Sequence, residues 1–107
     1  MASYIYLLES YNQFQTRYKI GFSKKKDLKE RVRPMKTGNP DQLTILYQFE
    51  TKHKRKVETA FHNLYSYKRI EGEWFELDQI DVQNFLANCA QLEENFDLLQ
   101  ASGNPYL

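Results

Sequence analysis

The sequence predicts a small α+β domain: a mostly antiparallel three-stranded sheet flanked by helices, with one added helix at its C-terminal end. Three observations carry that prediction. Tyr18-Lys19-Ile20-Gly21-Phe22 alternates at the period of a half-buried strand. The polar stretch from Ser10 to Thr16 separates it from the apolar run Tyr4-Ile5-Tyr6-Leu7-Leu8, so the two strands read as an antiparallel hairpin. Later apolar residues take helical spacing, with Val57, Phe61 and Leu64 at i, i+4 and i+7, then Val82, Phe85, Leu86, Cys89, Leu92, Phe96 and Leu99.

Taken in order, Tyr4–Glu9 is almost continuously apolar, the mark of a buried strand. Gly21 costs strand propensity inside the second strand. It therefore points to a bend, a bulge or the close approach of another backbone. Asp27-Leu28-Lys29-Glu30 spells a capping box opening a helix, with Leu28, Val32 and Met35 on one face. Pro34 removes a donor and clashes one turn back, so that helix kinks or stops near Arg33. Thr37-Gly38-Asn39-Pro40-Asp41 is a turn. Leu43–Glu50 is a third strand, Lys54–Tyr65 a second helix, and Glu71–Leu77 a turn running into a short strand. Asp78 caps the last helix, 78–101, which Ser102-Gly103-Asn104-Pro105 ends. No repeat, linker or low-complexity segment interrupts residues 1–107, which read as one domain.

At 41% hydrophobic and 27% charged, the chain has the composition of a folded domain. Eight tyrosines, which bury a ring and keep a hydroxyl for hydrogen bonding, suit a core bordering a polar site. The net charge of +1 hides a polarity. Residues 17–36 carry nine Lys/Arg against Asp27 and Glu30, whereas residues 71–107 carry eight Asp/Glu and no Lys or Arg. Either a basic face meets a polyanion or a mixed surface is simply solvated; charge alone leaves both open. The single Cys89 excludes an internal disulfide and zinc-finger spacing, and its apolar helical setting reads as a small buried hydrophobe. No signal peptide and no window of membrane-spanning length is visible. The expectation is a soluble intracellular protein without a membrane partner: cytoplasmic, nucleoid-associated, or nuclear in a eukaryote.

Few residues are placed for chemistry. Glu58 and His62, at i and i+4, project from one helix face, either as two ligands of one ion or as a solvent-facing pair. Tyr6 and Lys19 share a face of the hairpin if their strands pair, or are ordinary surface side chains. Arg31 borders a pocket for something negatively charged or is a solvated charge. Glu73, beside Trp74, is a second carboxylate or a turn residue.

Together these features form an ordered series: Tyr4-Ile5-Tyr6, Tyr18-Lys19-Ile20-Gly21, Arg31, Thr37-Gly38-Asn39-Pro40, Glu58…His62 and Gly72-Glu73-Trp74-Phe75. The series resembles the GIY-YIG endonuclease superfamily over residues 4–77. It looks closest to a branch of phage and fungal proteins with a Lys-Ile-Gly second motif and a Gly-Glu-Trp-Phe motif. Tyr4 stands where the first glycine is usual, and Lys19 where most members have tyrosine. The 78–101 helix lies beyond the diagnostic part.

That resemblance implies a metal-dependent DNA endonuclease or nickase. It makes Tyr6, Lys19, Arg31 and His62 catalytic and Glu58 the anchor of Mg²⁺ or Mn²⁺. Gly21, Gly38, Asn39 and Trp74 would be structural members of the motifs. A free phenol is a poor base at neutral pH, but nearby cations favour its phenolate. Arg17, Lys24, Lys25, Lys26, Lys29, Arg33 and Lys36 are candidates for DNA-backbone contacts, which give affinity but little sequence information. No separate recognition domain is visible, which implies low sequence specificity, a homodimer, a protein partner supplying specificity, or recognition of DNA shape. The alternative is an inactive nuclease-like module that binds nucleic acid or inhibits a protein partner.

Overall fold

The computed structural model describes residues 3–24 and 42–103. The expected helix from Asp27, with Leu28, Val32, Pro34 and Met35, and the turn at Gly38-Asn39 lie outside the described residues. Among the described residues five strands form one sheet: β1 (Ser3–Tyr11), β2 (Thr16–Ser23), β3 (Gln42–Thr51), β4 (Arg69–Glu71) and β5 (Trp74–Phe75). Three α-helices among the described residues accompany them: α1 (Lys54–Leu64), α2 (Gln79–Gln83) and α3 (Phe85–Ala101). The spatial order is β3-β1-β2-β5-β4, with every pairing antiparallel.

The sheet thus has five strands rather than the expected three. The two additions are short edge elements of three and two residues. All three residues of β4 are exposed, so no buried face imposed an alternation on the sequence.

β1 is central, which explains its unbroken apolar run. Ile5 and Leu7 face the helices, whereas Tyr6 and Leu8 face the other side, and all four are fully buried. On the helix side they join Ile20, Val57, Phe61, Tyr65, Phe75, Phe85 and Cys89 in one core. Phe61 and Phe85 stack there with centroids 5.1 Å apart. On the opposite side Tyr6, Leu8 and Leu43 pack with Ile45 and Trp74. A bulge shifts the β1–β3 register between Leu7 and Leu8, opposing them to Tyr47 and Ile45. The extra residue lets both Leu46 and Tyr47 pack towards the helices.

In α1 the buried stripe runs Val57, Phe61 and Tyr65, while Leu64 is 53% exposed. The expected i+7 position gives way to i+8 because the chain leaves helical geometry at Tyr65, the C-cap. The last helix is also divided. Asp78 caps it through a reciprocal box with Asp81, but at Asn84 (φ −90°, ψ 1°) the chain leaves α2 and starts α3. Among the described residues no helix is long and apolar enough to cross a membrane.

Candidate active site

The hairpin register sets Tyr6 opposite Gly21 and Leu8 opposite Lys19. Tyr6 and Lys19 therefore lie on one face, diagonal to each other, as the hairpin reading required. The Tyr6 ring reaches across β2 over Gly21. A Cβ at that glycine would stand 2.7 Å from the Tyr6 hydroxyl oxygen and 2.9 Å from Cζ. The close approach that Gly21 signalled is made by a side chain, not by another backbone. The Tyr6 hydroxyl is buried and has no hydrogen-bond partner among the described residues.

β5 covers only a short part of β2's outer edge, pairing Phe75 with Tyr18 and Trp74 with Lys19. One further bond, from the Ile20 N–H to the Glu73 carbonyl at 3.3 Å, ends that coverage. From Gly21 onward no described strand pairs with this edge. His62 approaches the edge from α1, its Nε2 3.1 Å from the Ile20 carbonyl oxygen and its ring edge-on to Phe75 at 5.1 Å. Nε2 must donate in that bond, which leaves Nδ1 as the basic nitrogen of a neutral ring. At the other end of α1 the Lys54 ammonium sits 5.3 Å from the Phe22 ring centroid. Glu58 lies one turn from each, so the three share one face of α1. One of its carboxylate oxygens, Oε2, is buried.

Lys19, Arg17 and Trp74 form the adjoining wall. Lys19 pairs with Glu73 at 3.7 Å, and the Arg17 guanidinium lies 5.5 Å from the Trp74 ring centroid. Glu73 is thus a partner for Lys19, a role only the β2–β5 pairing reveals. Behind this wall burial, then the neighbouring Glu9 carboxylate, holds the Tyr18 phenol above its usual range.

Tyr6 and Lys19 thus lie on one face of the Lys19-Ile20-Gly21 segment of β2, while His62 of α1 reaches the Ile20 carbonyl from the helix side. Lys24 is exposed just past the end of β2. Lys25, Lys26, Lys29, Arg31, Arg33 and Lys36 lie outside the described residues, as do Gly38 and Asn39. The first turn of α1 adds Lys54, Arg55 and Lys56, which the sequence reading left out of its basic set. Three successive cations at the start of a helix beside Glu58 were the available signal.

A family model described as the T5orf172 domain matches residues 3–90. The chain belongs to that family. The match corrects the GIY-YIG resemblance, because the T5orf172 domain is a different family and a distinct endonuclease-like type. Short motifs misled for a physical reason. Gly21 makes room for a ring, Gly72 takes φ +53° in the β4–β5 turn, and Trp74 fills a strand position. Such local demands recur wherever hairpins of this kind fold. The T5orf172 domain is nuclease-like and of a DNA-binding kind. No curated protein and no solved structure gives a significant match.

Proposed function

We propose that this T5orf172 domain is a divalent-metal-dependent DNA endonuclease or nickase of low sequence specificity, working at the edge of β2 beyond Ile20. The observation that carries the reading is the buried Tyr6 hydroxyl, without a partner among the described residues, held over Gly21 on the face that bears Lys19. Leaving such a group unsatisfied costs about 1–3 kcal/mol, an expense without structural return unless a ligand or water meets it.

With the family corrected, the reading leans on side-chain chemistry and on the contacts described above. The Tyr6 hydroxyl positions the attacking water and takes its proton. Lys19, balanced by Glu73 in the resting protein, turns to the negative phosphate. His62, fixed through Nε2 on the Ile20 carbonyl, keeps Nδ1 for hydrogen bonding to water or the leaving oxygen. Glu58 offers the hard oxygen donor that suits Mg²⁺ or Mn²⁺. When bound, the ion supplies charge neutralisation at the phosphate. Lys24, Arg17 and the Lys54–Lys56 turn supply backbone affinity. Arg31 lies outside the described residues, and no role for it is drawn from geometry.

The test is nicking of supercoiled plasmid with Mg²⁺ or Mn²⁺ over a range of pH. Cleavage is expected with either ion, and Glu58→Ala should abolish it while circular dichroism and DNA binding persist. Binding without cleavage under every condition would leave a DNA-binding module and end the enzyme reading.

A further inference from the structure

On the side of the molecule where α3 meets the end of β3, three groups of metal-ligand type converge. His53 precedes α1 and is almost wholly buried, with its ring tilted against Phe96 at 5.8 Å. Glu93 and Asp97, at i and i+4 on α3, point at it from one helix face. His53 Nε2 is 2.8 Å from Asp97 Oδ1 and 4.0 Å from Glu93 Oε1, and all three ligand atoms lie within 4.8 Å of one another.

We propose that His53, Glu93 and Asp97 form a site for a zinc-like divalent cation, separate from Glu58, that ties α3 to the β3–α1 junction. An ion held about 2.1 Å from each donor sets neighbouring donors roughly 3–4 Å apart. Two of the separations are already within a few tenths of an ångström of that range. One imidazole and two carboxylates form a mixed set that suits zinc or manganese better than an all-oxygen ion such as calcium.

The surroundings are those of an oriented ligand. Glu93 accepts the Thr51 hydroxyl at 2.6 and 3.1 Å and the Lys52 N–H at 2.9 Å. Thr51 in turn accepts the His53 N–H at 2.9 Å. Such outer contacts fix a ligating carboxylate before any ion arrives. Asp97 is 39% exposed and opens the site to solvent, so water can complete the coordination. The Lys52 ammonium stands 3.3 Å from Asp97 and has to move away when an ion binds there. That side chain is 75% exposed and can swing into bulk water.

Calorimetric titration with ZnCl₂, and visible spectra with CoCl₂, test the site. The expected result is saturable binding that includes one ion per chain dependent on His53, a cobalt band in the visible, and a midpoint raised by about 10 °C at hundredfold excess over Kd. His53→Gln and, independently, Glu93→Gln should weaken binding at least tenfold, whereas Glu94→Gln, exposed on α3 beside the cluster, should leave it unchanged. Absence of saturable binding by the wild type, or equal binding by both variants, would overturn the proposal. Because nothing is read from cleavage, that result would not touch the nuclease reading.

Discussion

The Tyr6 hydroxyl lies 2.7 Å from where a Cβ on Gly21 would stand, so the phenol occupies the space of the missing side chain. The two residues are cross-strand partners, and the Tyr6 ring is fully buried with little freedom to move aside. Gly21→Ala is therefore expected to destabilise the domain by about 1–3 kcal/mol through overpacking. Adding Tyr6→Phe should recover part of the loss, since the 2.7 Å contact goes but the 2.9 Å contact to Cζ stays. Urea unfolding of the two single variants and the double variant measures this coupling. Strict additivity would mean that the glycine is not there for the ring.

Tyr6→Phe by itself separates stability from chemistry. Its hydroxyl makes no hydrogen bond among the described residues, so removal sacrifices none of those contacts and relieves a desolvated group. The variant should match the wild type in stability or exceed it by about 1 kcal/mol. If the phenol acts on the attacking water, cleavage should slow by about 10²–10⁴-fold. A stability rise with unchanged cleavage would move the base to His62, Lys19 or solvent hydroxide.

The hairpin was legible in the sequence because both its strands bury a face, and burial writes a pattern. β4 was not, since Arg69, Ile70 and Glu71 are all exposed and carry no alternation. The stripe of α1 was read correctly at Val57 and Phe61 but not at its last member, where the change at Tyr65 from helix to cap decides which side chain turns inward. In the site, spacing alone paired Glu58 with His62 and hinted at the crowding over Gly21. The Lys19–Glu73 pair was invisible because it joins distant segments through two residues of β5. The His53, Glu93 and Asp97 group escaped for the same reason, since the packing of α3 on the β3–α1 junction brings its members together.

Cys89 offers a probe of global opening. It is fully buried against Phe85 and its neighbours, and burial, with the Glu93 carboxylate second, pushes the thiol up to about 12. At neutral pH almost none of it is thiolate, and none of it is exposed. Labelling by a maleimide should track unfolding, accelerating in urea in step with loss of ellipticity. Rapid labelling of the native protein would show that α3 opens locally from the sheet.

Asp78 gives the chain a share of its acid sensitivity. Its carboxylate accepts the Asp81 N–H at 3.0 Å, and the Lys68 ammonium lies 3.1 Å away. The backbone hydrogen bond first, then Lys68, lowers its pKa below the ordinary 3.8. A depressed native pKa means that the unfolded chain binds the proton more readily. The stabilising contribution is thus complete above the unfolded value and is lost as pH falls through the native one. Asp78→Asn keeps a side-chain oxygen for the cap and loses the titration. Its melting temperature should stay close to wild type near neutrality and fall less steeply between about pH 4 and pH 2. Parallel curves for the two proteins across that interval would show that the α2 cap does not titrate with folding.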